Sequence, residues 1–286
     1  MEITIYAGNA GDRNDRGMRG AVDLGTAIAK RYGVPARTVA DAAEPIEGGW
    51  ADQLRTAAPN LRLLARRVDE RLGAGDRIIL TMGRCAASIA TLPLVARRFP
   101  DAAIVYFDAH GDCNVPVAGR VTDYLGGMVI TGAAGEWDTG FGREVDLGNV
   151  ILVGARDLDP PEQVRIDAGQ IRLVPVGPGL GSRLKDAIGG RRVYVHLDCD
   201  VLDAGLLATE YQVPGGLQWT DLLDAFESLA AHELVGLEIT EYEASWPGGK
   251  SSDPSKLLYA IQPVLAVLQA HCVENAPAGW ISRLLV

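Results

Sequence analysis

The chain has 286 residues, of which 48% are hydrophobic and 22% charged, and a formal charge of −10. That composition is globular rather than disordered, and its acidity argues against a nucleic-acid backbone or an anionic membrane as the main partner. No apolar run reaches the ~18 residues a membrane span requires. Met1–Tyr6 enters a strand at once, without the basic region and apolar core of a signal segment. The four cysteines, Cys85, Cys113, Cys199 and Cys272, form no CxxC pair, and a chain of this size needs no disulfide staples. A reducing, cytoplasmic setting is expected.

Short apolar strands alternate with amphipathic helical stretches. The pattern predicts an α/β fold, a single three-layer domain over residues 1–286 with a mostly parallel sheet and helices on both faces. Ile3–Ala7 reads as the first strand, followed by a polar loop and a helix near Met18–Tyr32. A helix follows over Trp50–Leu72, then a strand at Arg77–Met82 and a helix at Ala86–Arg98. Ala102–Phe107 is the next strand. Asn114–Thr122, with Pro116 and Gly119 and no clear period, reads as a functional loop. Val150–Val153 is a strand, and Asp159-Pro160 has the form of a helix N-cap with Pro at the first position. Ile171–Val176 (strand), Ser182–Ile188 (helix) and a strand from Val193 come next. Gly205–Leu217 is a loop, and a helix over Thr220–Ala230 takes Thr220 as its N-cap. Leu234–Ile239 is a strand that delivers Glu241, and Lys256–Gln269 closes the set as a helix. In such sheets ligands bind beyond the carboxyl ends of strands. Cys85, Asp108, His110, Asp112, Asp159, Asp198, Asp200 and Glu241 all fall there.

Two of these strands end in alternating acids. Val105–Phe107 runs into Asp108-Ala109-His110-Gly111-Asp112, and Val193–Leu197 runs into Asp198-Cys199-Asp200 with Asp203 beyond. If the extended geometry persists past Phe107, Asp108, His110 and Asp112 converge on one face. Singly, an Asp or His after a strand is commonly a turn former or a cap. Four carboxylates and an imidazole gathered without basic neighbours instead require positive charge. Two divalent cations bridged by carboxylates would supply it. The oxygen-rich donor set with one imidazole favours Mn²⁺. Such a pair lowers the pKa of a shared water, which points to hydrolysis. A GxSxG elbow and a phosphate loop are both missing, so serine hydrolysis and phosphoryl transfer find no support.

From the strand before Cys85 to Glu241, these residues resemble the ureohydrolase family of arginases, agmatinases and formiminoglutamases. Asp108–Asp112 is similar to that family's DAHxD motif, and Asp198–Asp203 to its DxDxxD motif. The resemblance implies an arginase-like fold and a homo-oligomer with two Mn²⁺ ions. It implies that Asp108 and Asp198 bridge the ions, that His110 and Asp200 ligate one, and that Asp112 ligates the other. It further implies that Glu241 holds a guanidinium group by a charged hydrogen bond. Asp112-Cys113-Asn114-Val115-Pro116 resembles the arginase DxNxP segment, whose Asn contacts a substrate α-carboxylate. Arg156–Glu162 resembles RDxDPxE, which makes Asp159 the partner of the α-amino group.

The sequence departs from the family in three places. Met82-Gly83-Arg84-Cys85 stands where the family carries GGDH, so Cys85 replaces a metal-binding His. A thiolate is softer than Mn²⁺ prefers, so Cys85 either ligates, biases or weakens that position, or is a small buried residue. In Tyr124-Leu125-Gly126-Gly127-Met128, Gly126 takes the place of a proton-shuttling His. The loop after Asp203 is shorter than usual and brings Tyr211 towards the reacting end of the substrate. Retained acids with an altered pocket indicate retuning rather than decay. An N-hydroxyguanidine is less basic than a guanidine and needs less help from a proton shuttle. The expected reaction is attack of metal-activated hydroxide, oriented by Asp112, on Nω-hydroxy-L-arginine, giving L-ornithine and hydroxyurea. This likeness is to the hydroxyarginine-cleaving branch of the family that serves D-cycloserine biosynthesis. The alternatives are another guanidine or amidine substrate, or a metal-poor, non-catalytic member. A Cys113 or Cys199 nucleophile is disfavoured, because surrounding acids raise a thiol pKa.

Overall fold

Strands that are apolar along their whole length are stable only when both faces are covered, and this chain supplies that cover by alternating them with helices. The computed structural model describes residues 1–116 and 123–274. Its strands are β1 (Ile3–Tyr6), β2 (Ala36–Val39), β3 (Ile78–Met82), β4 (Ala103–Phe107), β5 (Val150–Val153), β6 (Arg172–Val174), β7 (Val193–Asp198) and β8 (Leu234–Thr240). They form one sheet in the order β2-β1-β3-β8-β7-β4-β5-β6, with every neighbouring pair parallel.

The helices are α1 (Arg16–Tyr32), α2 (Trp50–Gly73), α3 (Leu92–Arg98), α4 (Val129–Ala133), α5 (Pro160–Asp167), α6 (Leu180–Ile188), α7 (Trp219–Leu229), α8 (Ser255–Ala260) and α9 (Gln262–Glu274). Alternate strand residues feed two cores. Val105, Phe107, Val195 and Leu197 face one, with Leu24 and Ile28 of α1, Leu184 of α6 and Phe226 of α7. Ile104, Tyr106 and Tyr194 face the other, with Leu61, Leu64 and Val68 of α2. The three- and four-residue spacing on α2 gives it one apolar stripe. Each fully buried leucine there contributes about 1.5–3 kcal/mol.

The differences from the expected elements have local causes. Strand β2 lies at the sheet edge with Ala36, Arg37 and Thr38 exposed, so it carries no apolar run to reveal it. The helix expected over Ala86–Arg98 divides into a 3₁₀ turn at Cys85–Ala90 and α3, and the closing helix divides at Ile261. Pro93 and Pro263 are the second residues of the later halves; neither has an N–H for the carbonyl four residues back. Helix α7 starts one residue early, because Gln218 rather than Thr220 forms the cap, in a reciprocal pair with Asp221. Asp159 caps α5 as expected, in a capping box with Glu162. Of the loop expected over Asn114–Thr122, residues 117–122 lie outside the described residues, as does the side chain of Cys272.

The sequence order breaks at the middle of the sheet, where β8 and β7 are inserted between β3 and β4. A crevice opens beyond strand ends at such a break. The segment after β8 is pressed against α1, where a Cβ added at Gly20 would overlap the carbonyl of Tyr242. Gly20→Ala is therefore expected to destabilise the fold by about 1–3 kcal/mol, read as a lower urea midpoint. An unchanged midpoint would mean that α1 can shift away from this segment.

Candidate metal centre and substrate cavity

The ends of the four central strands bring the expected residues together. Asp108 follows β4, and its Oδ1 accepts from the backbone N–H of His110 at 2.6 Å. His110 Nδ1 lies 3.1 Å from that oxygen and 3.2 Å from Asp200 Oδ2. The extended geometry does not persist past Phe107. Asp112 reaches the cluster because its backbone turns left-handed, with φ 47°. Asp tolerates that conformation better than most residues, and such outliers gather at functional sites. The Tyr106 hydroxyl donates to Asp112 Oδ2 at 2.8 Å. At the end of β7, Asp198 Oδ1 accepts from Asp200 N at 2.7 Å, while Asp200 Oδ1 accepts from Ala109 N at 3.1 Å. Asp203 points elsewhere; its carboxylate accepts from Gly215 and Gly216 and shapes the loop.

Cys85 follows β3 and is buried, its Sγ 2.8 Å from Asp198 Oδ2, 3.0 Å from Thr240 Oγ1 and 3.3 Å from His196 Nε2. Its place at the centre of the cluster was the open question in the sequence, and it is not a remote packing residue. Among the described residues, three sets of potential ligand atoms each lie within 4.8 Å of one another: Cys85, Asp108 and Asp112; Asp108, His110 and Asp200; and Cys85, Asp198 and Glu241. Asp108 links the first two sets. Asp198 groups with Cys85 and Glu241 rather than with His110.

The donors fit divalent cations. Asp108 Oδ2 is buried without a hydrogen-bond partner, a state that costs free energy unless something positive meets it. Burial first, and neighbouring carboxylates second, push Asp112, Asp198 and Asp200 above the ordinary carboxylate range. Burial would raise Asp108 too, but the hydrogen bonds from His110 outweigh it and hold Asp108 low. The Cys85 thiol is raised by burial and then by Asp198. The same causes raise Cys113 and Cys199, beside Glu162 and Asp198 respectively, which removes them as nucleophiles.

A basic residue that the sequence reading did not weigh, Arg84, stands beside Glu241. It is fully buried, with Nη1 2.5 Å from Glu241, Nη2 2.8 Å from Glu210 and 3.0 Å from Glu243, and Nε 3.1 Å from Asp12. Arg16 adds a second contact to Glu243 at 2.7 Å. None of Asp108, Asp112, Asp198 or Asp200 is among the ion partners of Arg84, so their own charge is not met by it. The available signal was a charged residue directly after a buried strand, within Met82-Gly83-Arg84-Cys85. Glu241 has φ 61°, and its second oxygen accepts from Cys85 N at 3.1 Å.

Beneath the cluster the register aligns Tyr106, His196 and Glu238 across β4, β7 and β8. The Tyr106 and His196 rings stack at 3.8 Å, and His196 Nδ1 is 2.7 Å from Glu238. Glu238 also accepts from Tyr194 at 2.7 Å and Thr91 at 2.6 Å. Alternation placed these polar residues on a core face, but nothing in a single strand shows that they meet across three.

A cavity of about 300 Å³ opens beside the cluster, bordered by His110, Asp112, Asn114, Tyr124, Asp159 and Tyr211. Asn114 Nδ2 donates to Asp159 Oδ2 at 2.9 Å, so the two residues expected at one end of a substrate stand side by side. Glu162 joins their loops, accepting from Cys113 N and Asp159 N, each at 3.0 Å. Tyr211 meets the His110 ring edge-on at 5.3 Å. Cys85, Asp198 and Glu241 do not border this cavity.

Four carboxylates around Arg84 and Arg16 leave an excess of negative charge. Burial pushes Glu241 from the ordinary 4.5 up to about 8, against the pull of Arg84. A carboxyl raised in this way keeps, in the folded chain, a proton that the unfolded chain has already released. Its contribution to stability is complete below pH 4.5 and is lost as the pH rises to about 8. In chelator-treated protein, wild type is expected to lose stability across this window more steeply than Glu241→Gln, as read from urea midpoints. Parallel curves would put the extra proton on another acid of the cluster.

The Arginase family model matches residues 17–251. The N(omega)-hydroxy-L-arginine amidinohydrolase of Streptomyces lavendulae is 34% identical over 244 residues, covering 85% of this chain and 89% of that protein. Among solved structures, the arginase of Entamoeba histolytica in complex with L-ornithine superposes with a TM-score of 0.74 at 18% identity, covering 94% of this chain and 97% of the other. The proclavaminate amidino hydrolase of Streptomyces clavuligerus gives 0.68 at 17% identity, covering 94% and 90%. These structural likenesses establish the fold, and the sequence matches establish the kinship. Arginase-family enzymes are binuclear metal amidinohydrolases that cleave C–N bonds in guanidino substrates, and this chain belongs to that family.

Proposed function

We propose that the chain is a manganese-dependent amidinohydrolase that cleaves Nω-hydroxy-L-arginine to L-ornithine and hydroxyurea. The observation that carries the substrate class is the hydrogen-bonded Asn114–Asp159 pair in the same cavity as His110 and Asp112. An amide and a carboxylate at one end suit an α-carboxylate and an α-amino group, and the acid cluster at the other suits a guanidine-type head. The hydroxylated head is supported by the name of the 34%-identical relative, by a thiol at Cys85, and by the bare Gly126. The free thiols of Cys85, Cys113 and Cys199 support a reducing, cytoplasmic setting, and a homo-oligomer belongs to the same reading.

Asp108, His110, Asp112, Asp198, Asp200 and Cys85 would hold two Mn²⁺ ions. When bound, the pair supplies Lewis acidity that brings a water close to deprotonation at neutral pH. Asp112, anchored by Tyr106, accepts a hydrogen bond from the attacking water and aims it at the central guanidine carbon. Asn114 and Asp159 hold the amino-acid end, and His110 and Asp112 border the cavity where the guanidine end would lie, so the scissile bond to the ornithine nitrogen is presented in one orientation. The guanidine-holding role expected of Glu241 conflicts with its pairing to Arg84 and Cys85 N away from this cavity. The Cys85 thiol would offer an ion on its side a softer donor than the His110 side offers.

The deciding experiment offers L-arginine, Nω-hydroxy-L-arginine and agmatine side by side to protein dialysed in Mn²⁺. Hydroxyurea and ornithine are expected, with little urea from arginine. Faster urea release from arginine would return the chain to the arginases proper, and silence on all three would favour another amidine or a non-catalytic role. Asp108→Ala or Asp198→Ala should cost at least about 100-fold in turnover together with bound manganese, by metal analysis; a fully active variant would refute the ligand assignment. Cys85→His should raise both manganese content and activity on arginine, and no change in either would make Cys85 a spectator.

A further inference from the structure

Resting on the reading just given, we infer that Tyr124 is the residue that recognises the N-hydroxyl of the substrate, and so sets the preference for a hydroxylated over a plain guanidine. Tyr124 borders the cavity together with His110 and Asp112. Its hydroxyl oxygen is buried and has no hydrogen-bond partner among the described residues. A buried phenol without a partner is costly, and Tyr is retained in such places chiefly where its polar tip meets something.

The ring is held, so the hydroxyl has a defined position rather than a choice of rotamers. The Arg13 guanidinium carbon lies 5.0 Å from the ring centroid, and the Tyr211 ring 6.3 Å away. A Cβ at Gly126 would stand 2.5 Å from Tyr124 Cε1, and one at Gly11 3.6 Å from Cε2. The glycine at 126 is therefore what admits the ring; any side chain there would displace it.

The chemistry of the head group gives the selectivity. Burial, followed by the charge of Glu241, keeps the phenol protonated, so it needs an acceptor. A guanidinium presents only N–H donors, which the phenol oxygen accepts but which leave the phenol's own proton without an acceptor. An N-hydroxyguanidine adds an oxygen that accepts from the phenol and has a proton of its own to give. A site built around a substrate hydroxyl discriminates against the analogue that lacks it, because its own polar group is then left unpaired. The Tyr124 hydroxyl has no hydrogen-bond partner among the described residues, so its removal is expected to leave the fold intact.

The test is Tyr124→Phe in the full chain. With chelator-treated protein, in which substrate is not consumed, calorimetry gives Kd for Nω-hydroxy-L-arginine, L-arginine and L-ornithine. With manganese restored, kcat/KM is measured for the first two. The variant is expected to lose about 10- to 100-fold towards Nω-hydroxy-L-arginine in both measurements. L-Arginine and L-ornithine, which lack the hydroxyl, should stay within about 3-fold. If wild type prefers Nω-hydroxy-L-arginine and the variant keeps the same ratio, Tyr124 is not the recognising residue, while the functional reading survives. A wild type that favours L-arginine overturns both. An equal loss on all three ligands would make the hydroxyl a general packing group and overturn the inference alone.

Discussion

Repulsion among carboxylates at the ends of β3, β8, β7 and β4 is the constraint on which the rest of this molecule depends. Asp108, Asp112, Asp198 and Asp200 are buried together, and one oxygen of Asp108 has no partner. A parallel sheet can hold such a cluster because its backbone hydrogen bonds and two flanking cores are complete without the strand ends. The stability comes from the apolar layers, and the site spends part of it. Of the three described non-glycine residues with positive φ, Asp112 and Glu241 mark where the backbone has been bent to aim a side chain into the site.

The acids are not all handled in the same way. Those around Arg84 form a largely buried ionic group met by guanidinium, with an excess of negative charge remaining. Those around Asp108 are met by His110, the Cys85 thiol and the Tyr106 hydroxyl, without a guanidinium among their described ion partners. This division separates a structural ionic core, which orders the segment after β8, from a cluster whose charge is left for a ligand to balance. Buried ion pairs are weak evidence for stability by themselves. Here the value of Arg84 lies in fixing the direction of Glu241.

Much of this was legible from the sequence, because short, wholly apolar strands and the acids at their ends are local patterns. Asp108, His110, Asp198 and Asp200 lie within two such runs, and the capping pair Asp159-Pro160 is a local signal too. What escaped was whatever needs a partner from elsewhere. Arg84 has ion partners at positions 12, 210, 241 and 243, so no window of sequence contains its environment. The row of Tyr106, His196 and Glu238 depends on register between strands that are far apart in the chain. Edge strand β2 was missed for the opposite reason, since three of its four residues face solvent and it has no apolar pattern.

The carboxylate of Glu162 has a bearing on how this pocket can change. By accepting from Cys113 N and Asp159 N at once, it makes the loop after β4 and the start of α5 a single mechanical piece. The two residues that would read the amino-acid end of a substrate, Asn114 and Asp159, therefore cannot drift independently. Lengthening or shortening the accepted substrate requires both segments to be exchanged as a cassette with Glu162. A graft of either segment alone would strand a buried carboxylate between mismatched backbones. Substrate range at this end should therefore change in steps, while the head-group end, built from separate side chains, is free to drift one residue at a time.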